Sequence, residues 1–242
     1  MNSTTTERVA WITGAAGGLG SALVSAFAAA GYRVAAAGHS TLPNVELESA
    51  RVWPMRLDVT RADEVCRAVS QIEQRWGGID VLVNNAGICA DHLLAQMNDA
   101  EWDRVLAVNL KGPFLCCREV VPSMIQRRLG HILNVASDVA RRGGRGRSNY
   151  AASKAGLIGL SLSLAQELGG FGICVNAVIP GFMSTPMTTG LDARRAREFQ
   201  DASVLGAWVE PVRVARFMVD LAGHSHISGQ VLQVDGRVSR WT

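Results

Sequence analysis

Three residues of this chain have the types and spacing for proton transfer. Ser137 closes the apolar run His131-Ile-Leu-Asn-Val-Ala136, Tyr150 follows thirteen residues later, and Lys154 lies four beyond the tyrosine. The run from Asn149 to Leu168 reads as a helix, and positions four apart share one helix face, so the phenol and the ammonium can meet. With the Ser137 hydroxyl beside them they form a site that can hold or move a proton. Such a site needs a second component to take or deliver electrons, and the rest of the chain must position it.

The first forty residues supply a place for that component. The apolar run Val9-Ala-Trp-Ile12 leads into Thr13-Gly14-Ala-Ala-Gly17-Gly18-Leu19-Gly20, then into an alanine-rich helix ending near Gly31. A strand, a glycine loop and a helix in this order suit a dinucleotide. Gly14 permits the tight turn, Gly18 lets the backbone approach a pyrophosphate, and Gly20 lets the helix pack closely. The free N–H groups of the helix start then face the phosphates. A second strand, Arg33-Val34-Ala-Ala-Ala37, ends at Gly38-His39-Ser40, where the adenosine ribose would be read. No acidic residue lies between Arg33 and Val45, so nothing there repels a 2′-phosphate, and His39 and Ser40 can donate to one. NADP(H) is therefore expected in preference to NAD(H).

Strands and helices alternate through the remainder. A third strand is expected over 51–57, closing at Asp58-Val59, and an amphipathic helix over 61–76 with Val65, Ala68, Val69 and Ile72 on one face. The connection before the third strand includes Pro43 and is short for a crossover helix, so a loop or single turn is expected there. Ile79-Asp-Val-Leu-Val83 reads as a buried parallel strand running into Asn84-Asn85-Ala86-Gly87, small residues over which a cofactor could lie closely. A long helix is expected from about 99 to 128, bent at Pro113, with Asn109 one turn earlier where a freed carbonyl could hold a water. Further strands are expected at 131–136, 172–179 (stopping at Pro180-Gly181) and 229–235, with a helix over 211–222 and an irregular lid over about 182–208. The expected fold is α/β, a single Rossmann-type doubly wound parallel sheet of about seven strands with helices on both faces, in one domain spanning 1–242.

Composition narrows the function. The net charge of +3 is too small to argue for nucleic acid. No apolar run reaches the roughly 18 residues of a membrane helix, and the N-terminal residues lack a signal-peptide pattern, so a cytoplasmic protein is expected. The five cysteines form no C-x-x-C pair, which suggests reduced thiols. His92, His224 and His226 read as surface or capping residues, and no metal is expected. Lys111 and Lys154 are the only lysines in a chain whose positive charge is otherwise arginine.

Taken together, these motifs resemble the short-chain dehydrogenase/reductase family along nearly the whole chain. The resemblance rests on Thr13-Gly14-x3-Gly18-x-Gly20, Asp58-Val59, Asn84-Asn85-Ala86-Gly87, Asn109, Ser137, Tyr150-x3-Lys154 and Pro180-Gly181-x3-Thr185. Within the family the chain is most similar to the reductases of 3-oxoacyl-carrier-protein and acetoacetyl-CoA. The resemblance implies that Tyr150 is the general acid/base, that Ser137 holds the substrate carbonyl, and that Lys154 lowers the tyrosine pKa and binds the nicotinamide ribose. It implies that Asn109 anchors a water relaying protons to Lys154. Gly14, Gly17, Gly18, Leu19 and Gly20 would hold the phosphates, and His39, Ser40, Asp58 and Val59 the adenosine end. Asn85, Ala86, Gly87, Pro180, Gly181 and Thr185 would line the nicotinamide, with Thr185 on the carboxamide.

The implied function is NADPH-dependent reduction of a ketone, a 3-oxoacyl thioester, free or carrier-linked. An NAD-dependent secondary-alcohol dehydrogenase and a non-catalytic nicotinamide sensor or scaffold are the alternatives. A homo-oligomer is expected. Three departures stand out: the shortened connection before the third strand, Phe171 where many carrier-protein reductases have a basic residue, and Arg237 after Asp235-Gly236 where a second glycine is usual. The cluster Arg141, Arg142, Arg145 and Arg147, between two of the candidate catalytic residues, is either an attractive surface for an anionic substrate or a solvated loop or subunit contact.

Overall fold

The structure is a computed structural model and describes residues 7–43, 51–185, 197 and 200–238. Seven parallel strands form one sheet among these residues: β1 (Val9–Thr13), β2 (Arg33–Gly38), β3 (Val52–Arg56), β4 (Val81–Asn84), β5 (Gly130–Val135), β6 (Ile173–Pro180) and β7 (Val231–Val234). Their spatial order is β3-β2-β1-β4-β5-β6-β7. The chain runs outward one way from β1, then returns to start again at β4. Neighbouring connections diverge at that point, so a crevice opens at the carboxyl ends of β1 and β4.

Alternation along the strands builds two cores. Trp11 of β1 points into one with Leu82, Ile132 and Val175, while Ala10 and Ile12 point into the other with Val83, Leu133 and Val178. The first layer is closed by α2 (Ala62–Trp76) and α4 (Gly112–Arg127), through Val65, Ile72, Leu115, Val120 and Met124. The second is closed by α1 (Gly18–Ala29) and by a later helix, α7 (Pro211–Leu221), through Leu23, Phe27, Met218 and Leu221. Asp63 and Glu64 in the first turn of α2 complement the helix dipole, and Gly77 ends the helix at φ 87°. Between β2 and β3 the described residues contain no helix, and the rest of that expected loop, 44–50, lies outside them.

The helix expected over about 99–128 follows its path in three pieces. The segment α3 (Asp99–Leu106) opens with a reciprocal capping box between Asn98 and Glu101. Ala107–Lys111 then widens into a π turn, and α4 continues from Gly112. This corrects the expected bend at Pro113. The proline has no N–H to offer the Asn109 carbonyl, and it sits in the first turn of α4, where that loss is tolerated. The misfit is absorbed in the preceding turn, where the Gly112 amide reaches back to the Ala107 carbonyl. A short helix, α5 (Val139–Arg142), and the longest one, α6 (Ser148–Leu168), follow β5. No helix among the described residues is long and apolar enough to cross a membrane. None of the five cysteines is in a disulfide.

Candidate active site

The carboxyl ends of β1, β4, β5 and β6 enclose a cleft of about 550 Å³. Its walls bring together Gly14, Gly17, Gly18, Leu19, Gly20, His39, Ser40, Asn85, Ala86, Gly87, Ser137, Tyr150, Lys154, Pro180, Gly181 and Thr185, which the chain scatters over more than 170 positions. Asp58, Val59 and Asn109 stand behind the wall. Asp58 approaches His39 at 3.8 Å, Val59 packs on Gly112, where a Cβ would come within 2.8 Å of its Cγ2, and Asn109 is fully buried.

The glycine loop is held from beneath. Gly14 takes φ +64°, and a Cβ there would lie 2.7 Å from the Ala86 Cα. The Asn85 amide donates to the carbonyls of Thr13 (3.1 Å) and Gly14 (3.0 Å), while Thr13 Oγ1 accepts from the backbone N–H groups of Asn85 (3.1 Å) and Ala86 (3.2 Å). The two strand ends are thus laced together. A Cβ on Gly20 would lie 2.1 Å from the Gly14 carbonyl oxygen, so α1 starts directly against the loop. No side chain caps the start of α1 and no acidic residue occupies its first turn, which leaves its N–H groups and positive end facing the cleft. These features fit the pyrophosphate of a nicotinamide dinucleotide.

At the end of the cleft beside β2, His39 and Ser40 are exposed on the rim. Burial works to raise the Asp58 carboxyl, but hydrogen bonds from the Thr60 hydroxyl and amide, with His39 nearby, take it below the ordinary value. A carboxylate therefore stands beside His39, although none lies on the described part of that loop.

The three candidate catalytic groups converge as follows. Ser137 and Tyr150 both line the cleft, and the Ser137 hydroxyl is near enough to favour the ionised phenol. Burial pushes the Tyr150 phenol well above its usual value, the neighbouring Cys89 thiol adds to this, and the Ser137 hydroxyl and the Arg147 guanidinium oppose it. Lys154 is 3% exposed, and burial lowers its ammonium to about 8. Its Nζ donates to the Val135 carbonyl at 2.7 Å and stands 5.8 Å from the centre of the Tyr150 ring. Its hydrogen bond thus runs to the end of β5, although both side chains border the same cleft.

Asn109 is turned inward by the π turn. Its side chain accepts from the Ile88 N–H (2.8 Å) and donates to the Ile88 carbonyl (3.0 Å) and Ser153 Oγ (3.1 Å). A Cβ on Gly87 would lie 3.4 Å from Asn109 Oδ1 and 3.5 Å from Lys154 Nζ, so only a glycine hydrogen stands between them.

Several neighbours carried no signal in sequence spacing. Cys89 and Thr41 line the cleft, and Asn149 ties the start of α6 to the loop after β4 by donating to the Ala90 carbonyl at 3.0 Å. The arginine cluster divides. Arg147 lines the cleft, pairs with Asp91 at 2.8 Å and lies 5.9 Å from the Tyr150 ring centre. Arg142 pairs with Asp138, and Arg145 is exposed. Phe182 packs edge-on against Trp208 with centroids 4.9 Å apart, joining the described ends of the expected lid; residues 186–196, 198 and 199 lie outside the described residues. Among the described residues no group of three or more His, Cys, Asp or Glu could hold a metal ion.

Comparison with known proteins agrees with this geometry. Residues 8–196 match the family described as short chain dehydrogenase. The chain is 43% identical over 237 residues to the 3-oxoacyl-(acyl-carrier-protein) reductase of Thermotoga maritima, covering 95% of this chain and 96% of that one. It is 36% identical over 239 residues to the enzyme of the same name from Staphylococcus epidermidis, covering 95% and 98%, and 36% identical over 238 residues to that of Synechocystis, covering 96% of each.

Proposed function

Because the chain belongs to the short-chain dehydrogenase family and is an oxidoreductase, we propose that it reduces the ketone of a 3-oxoacyl thioester with NADPH. The observation that carries this reading is one cleft joining an uncapped helix start, suited to a pyrophosphate, with Ser137, Tyr150 and Lys154 on its wall. The named activity of the relatives supports the substrate class. The absence of a carboxylate on the loop of His39 and Ser40 supports the 2′-phosphate.

In this reading the bound nicotinamide supplies the hydride. Gly14, Gly17, Gly18, Leu19 and Gly20 hold its phosphates, His39 and Ser40 the ribose phosphate, and Asp58 and Val59 back the adenine. Asn85, Ala86, Gly87, Pro180, Gly181 and Thr185 flank the nicotinamide. Ser137 donates a hydrogen bond to the ketone oxygen and orients it toward Tyr150. Tyr150 donates the phenolic proton to that oxygen as its negative charge develops, which is worth roughly 10²–10⁴ in rate. Lys154 returns the proton: an ammonium lowered to about 8 exchanges protons near neutral pH. Asn109 anchors the water that carries the relay onward, supported by its facing Lys154 across Gly87.

The region over about 182–208 serves as the lid of a single domain. The exposed apolar side chains Phe114 on α4 and Leu162 on α6 support a homo-oligomer assembled through those helices. A cytoplasmic location follows from the same reading.

The test is cofactor oxidation with acetoacetyl-CoA, comparing NADPH with NADH. A preference for NADPH of tenfold or more in kcat/KM is expected. A preference for NADH moves the assignment to an NAD-linked alcohol dehydrogenase, and no turnover with any ketone favours a sensor or scaffold.

A further inference from the structure

Arg237 makes more polar contacts near the cleft than its place at the end of β7 would suggest. Its side chain is 11% exposed. The guanidinium pairs with the Asp235 carboxylate on one side, and Nη1 reaches Asp138 Oδ2 at 2.7 Å on the other. Asp235 follows β7 directly, and Asp138 follows Ser137. One side chain therefore spans from the end of β7 to the end of β5, across β6 between them.

The contacts around this span are tight. Asp235 is 4% exposed in its side chain and also accepts from Gln233 Nε2 at 2.8 Å and from the Arg237 N–H at 2.9 Å. A Cβ on Gly181, which lines the cleft after β6, would lie 2.6 Å from the Asp235 Cβ. Asp138 is 12% exposed in its side chain and receives Arg142 from the next turn as well. Two carboxylates and two guanidiniums thus balance, with Arg142 on the solvent side and Arg237, Asp138 and Asp235 inside, where each buried charge has its partner. The backbone that follows is ordered from the same point: Arg141 N–H donates to the Asp138 carbonyl at 3.0 Å, and Ala140 N–H to that of Ser137 at 3.0 Å.

We infer that Arg237 is a positioning residue that clamps the ends of β5, β6 and β7 together and thereby sets the orientation of Ser137. Arg142 alone cannot do this, because it lies on the short helix that Asp138 leads into, one turn away, and moves with it. Arg237 ties that helix to a different strand. The planar fork of the guanidinium can address two carboxylates at once, which a single ammonium does less well. The catalytic consequence rests on the proposed reductase reading; the structural clamp does not.

The experiment compares wild type, Arg237→Ala and Arg237→Lys with NADPH and acetoacetyl-CoA, each also in the Ser137→Ala background. Arg237→Ala is expected to lower kcat at least tenfold with NADPH affinity within twofold of wild type, and Arg237→Lys to fall between. In the Ser137→Ala background the further loss from Arg237→Ala should be under twofold, since the hydroxyl it orients is gone. Amide hydrogen exchange at Ala140 and Arg141 should quicken at least tenfold in Arg237→Ala. Should Arg237→Ala not fold, the triple variant Arg237→Leu, Asp138→Asn, Asp235→Asn removes the charges together and should show the same kcat loss and exchange. Unchanged kcat, or a loss that multiplies in full on Ser137→Ala, overturns the positioning role. Unchanged exchange overturns the clamp, and that arm decides it even if the wild type reduces no ketone.

Discussion

Replacing Tyr150 with phenylalanine removes one oxygen from the cleft and leaves the ring in place. If the phenol is the proton donor, Tyr150→Phe should lower kcat by roughly 10²–10⁴ while NADPH still binds, as followed by cofactor fluorescence. Retention of most of the activity would assign the proton to another group. Burial and Cys89 hold this phenol high, while Ser137 and Arg147 pull the other way. The tyrosine is thus set by these neighbours, while the Lys154 ammonium gives its hydrogen bond to the Val135 carbonyl. A second residue-scale prediction concerns His131, which is 4% exposed and whose ring Nδ1 has no hydrogen-bond partner. Burial, assisted by Arg8 and opposed by Asp80, lowers it to about 4. The unfolded chain takes up a proton near pH 6.5 that the native state refuses until about pH 4. Stability must therefore fall as the pH drops through that window, by about 2 kcal/mol between neutral pH and pH 5. Urea unfolding at both pH values should show this, and His131→Gln should lose that part of the acid sensitivity.

At the scale of elements, the glycine loop works because α1 begins in contact with it. A methyl at position 20 would meet the Gly14 carbonyl oxygen at 2.1 Å and the Ala15 Cα at 2.9 Å, both backbone atoms that cannot rotate away. Gly20→Ala should therefore cost about 1–3 kcal/mol in thermal or urea unfolding, with NADPH affinity weakened about tenfold or more because the helix start is displaced. An unaltered affinity would mean that the loop yields without moving α1. The role of Gly20 is visible in the glycine spacing, although its close contact is with the loop rather than the strand. The π turn was not visible. Pro113 marks a disturbed helix, but whether the chain kinks, breaks or widens depends on what the surrounding elements offer. Here Ile88 and Ser153 satisfy the inward-turned Asn109 amide, and the widened turn is what lets it reach them.

At the scale of the molecule, the fold parts the arginines: Arg141 and Arg142 lie on α5, Arg145 and Arg147 in the turn that leads into α6. Arg142 turns to Asp138, Arg145 points to solvent, and Arg147 enters the cleft wall beside Tyr150 with Asp91 as its partner. Of the four, Arg147 lines the cleft. Arg147→Gln should lower kcat/KM for an anionic ketone roughly three- to fivefold more than for a neutral one, the scale of a partly exposed charge contact. Arg145→Gln should alter neither, and equal losses on both ketones would end the substrate-attraction reading of this loop. The sequence alone determined the parallel doubly wound sheet and most members of the cleft, because those depend on periodic burial and on motifs whose spacing is local: Gly14 to Gly20, Asn84 to Gly87, Tyr150 to Lys154. Tertiary structure alone decided that Lys154 bonds to Val135, that Cys89 and Arg147 border Tyr150, and that Arg237 joins Asp235 to Asp138 beside Ser137. Lys154 with Val135, Cys89 with Tyr150 and Arg237 with Asp138 are far apart in the chain, and a side chain buried with several possible partners is settled only when the folded backbone brings one of them within reach.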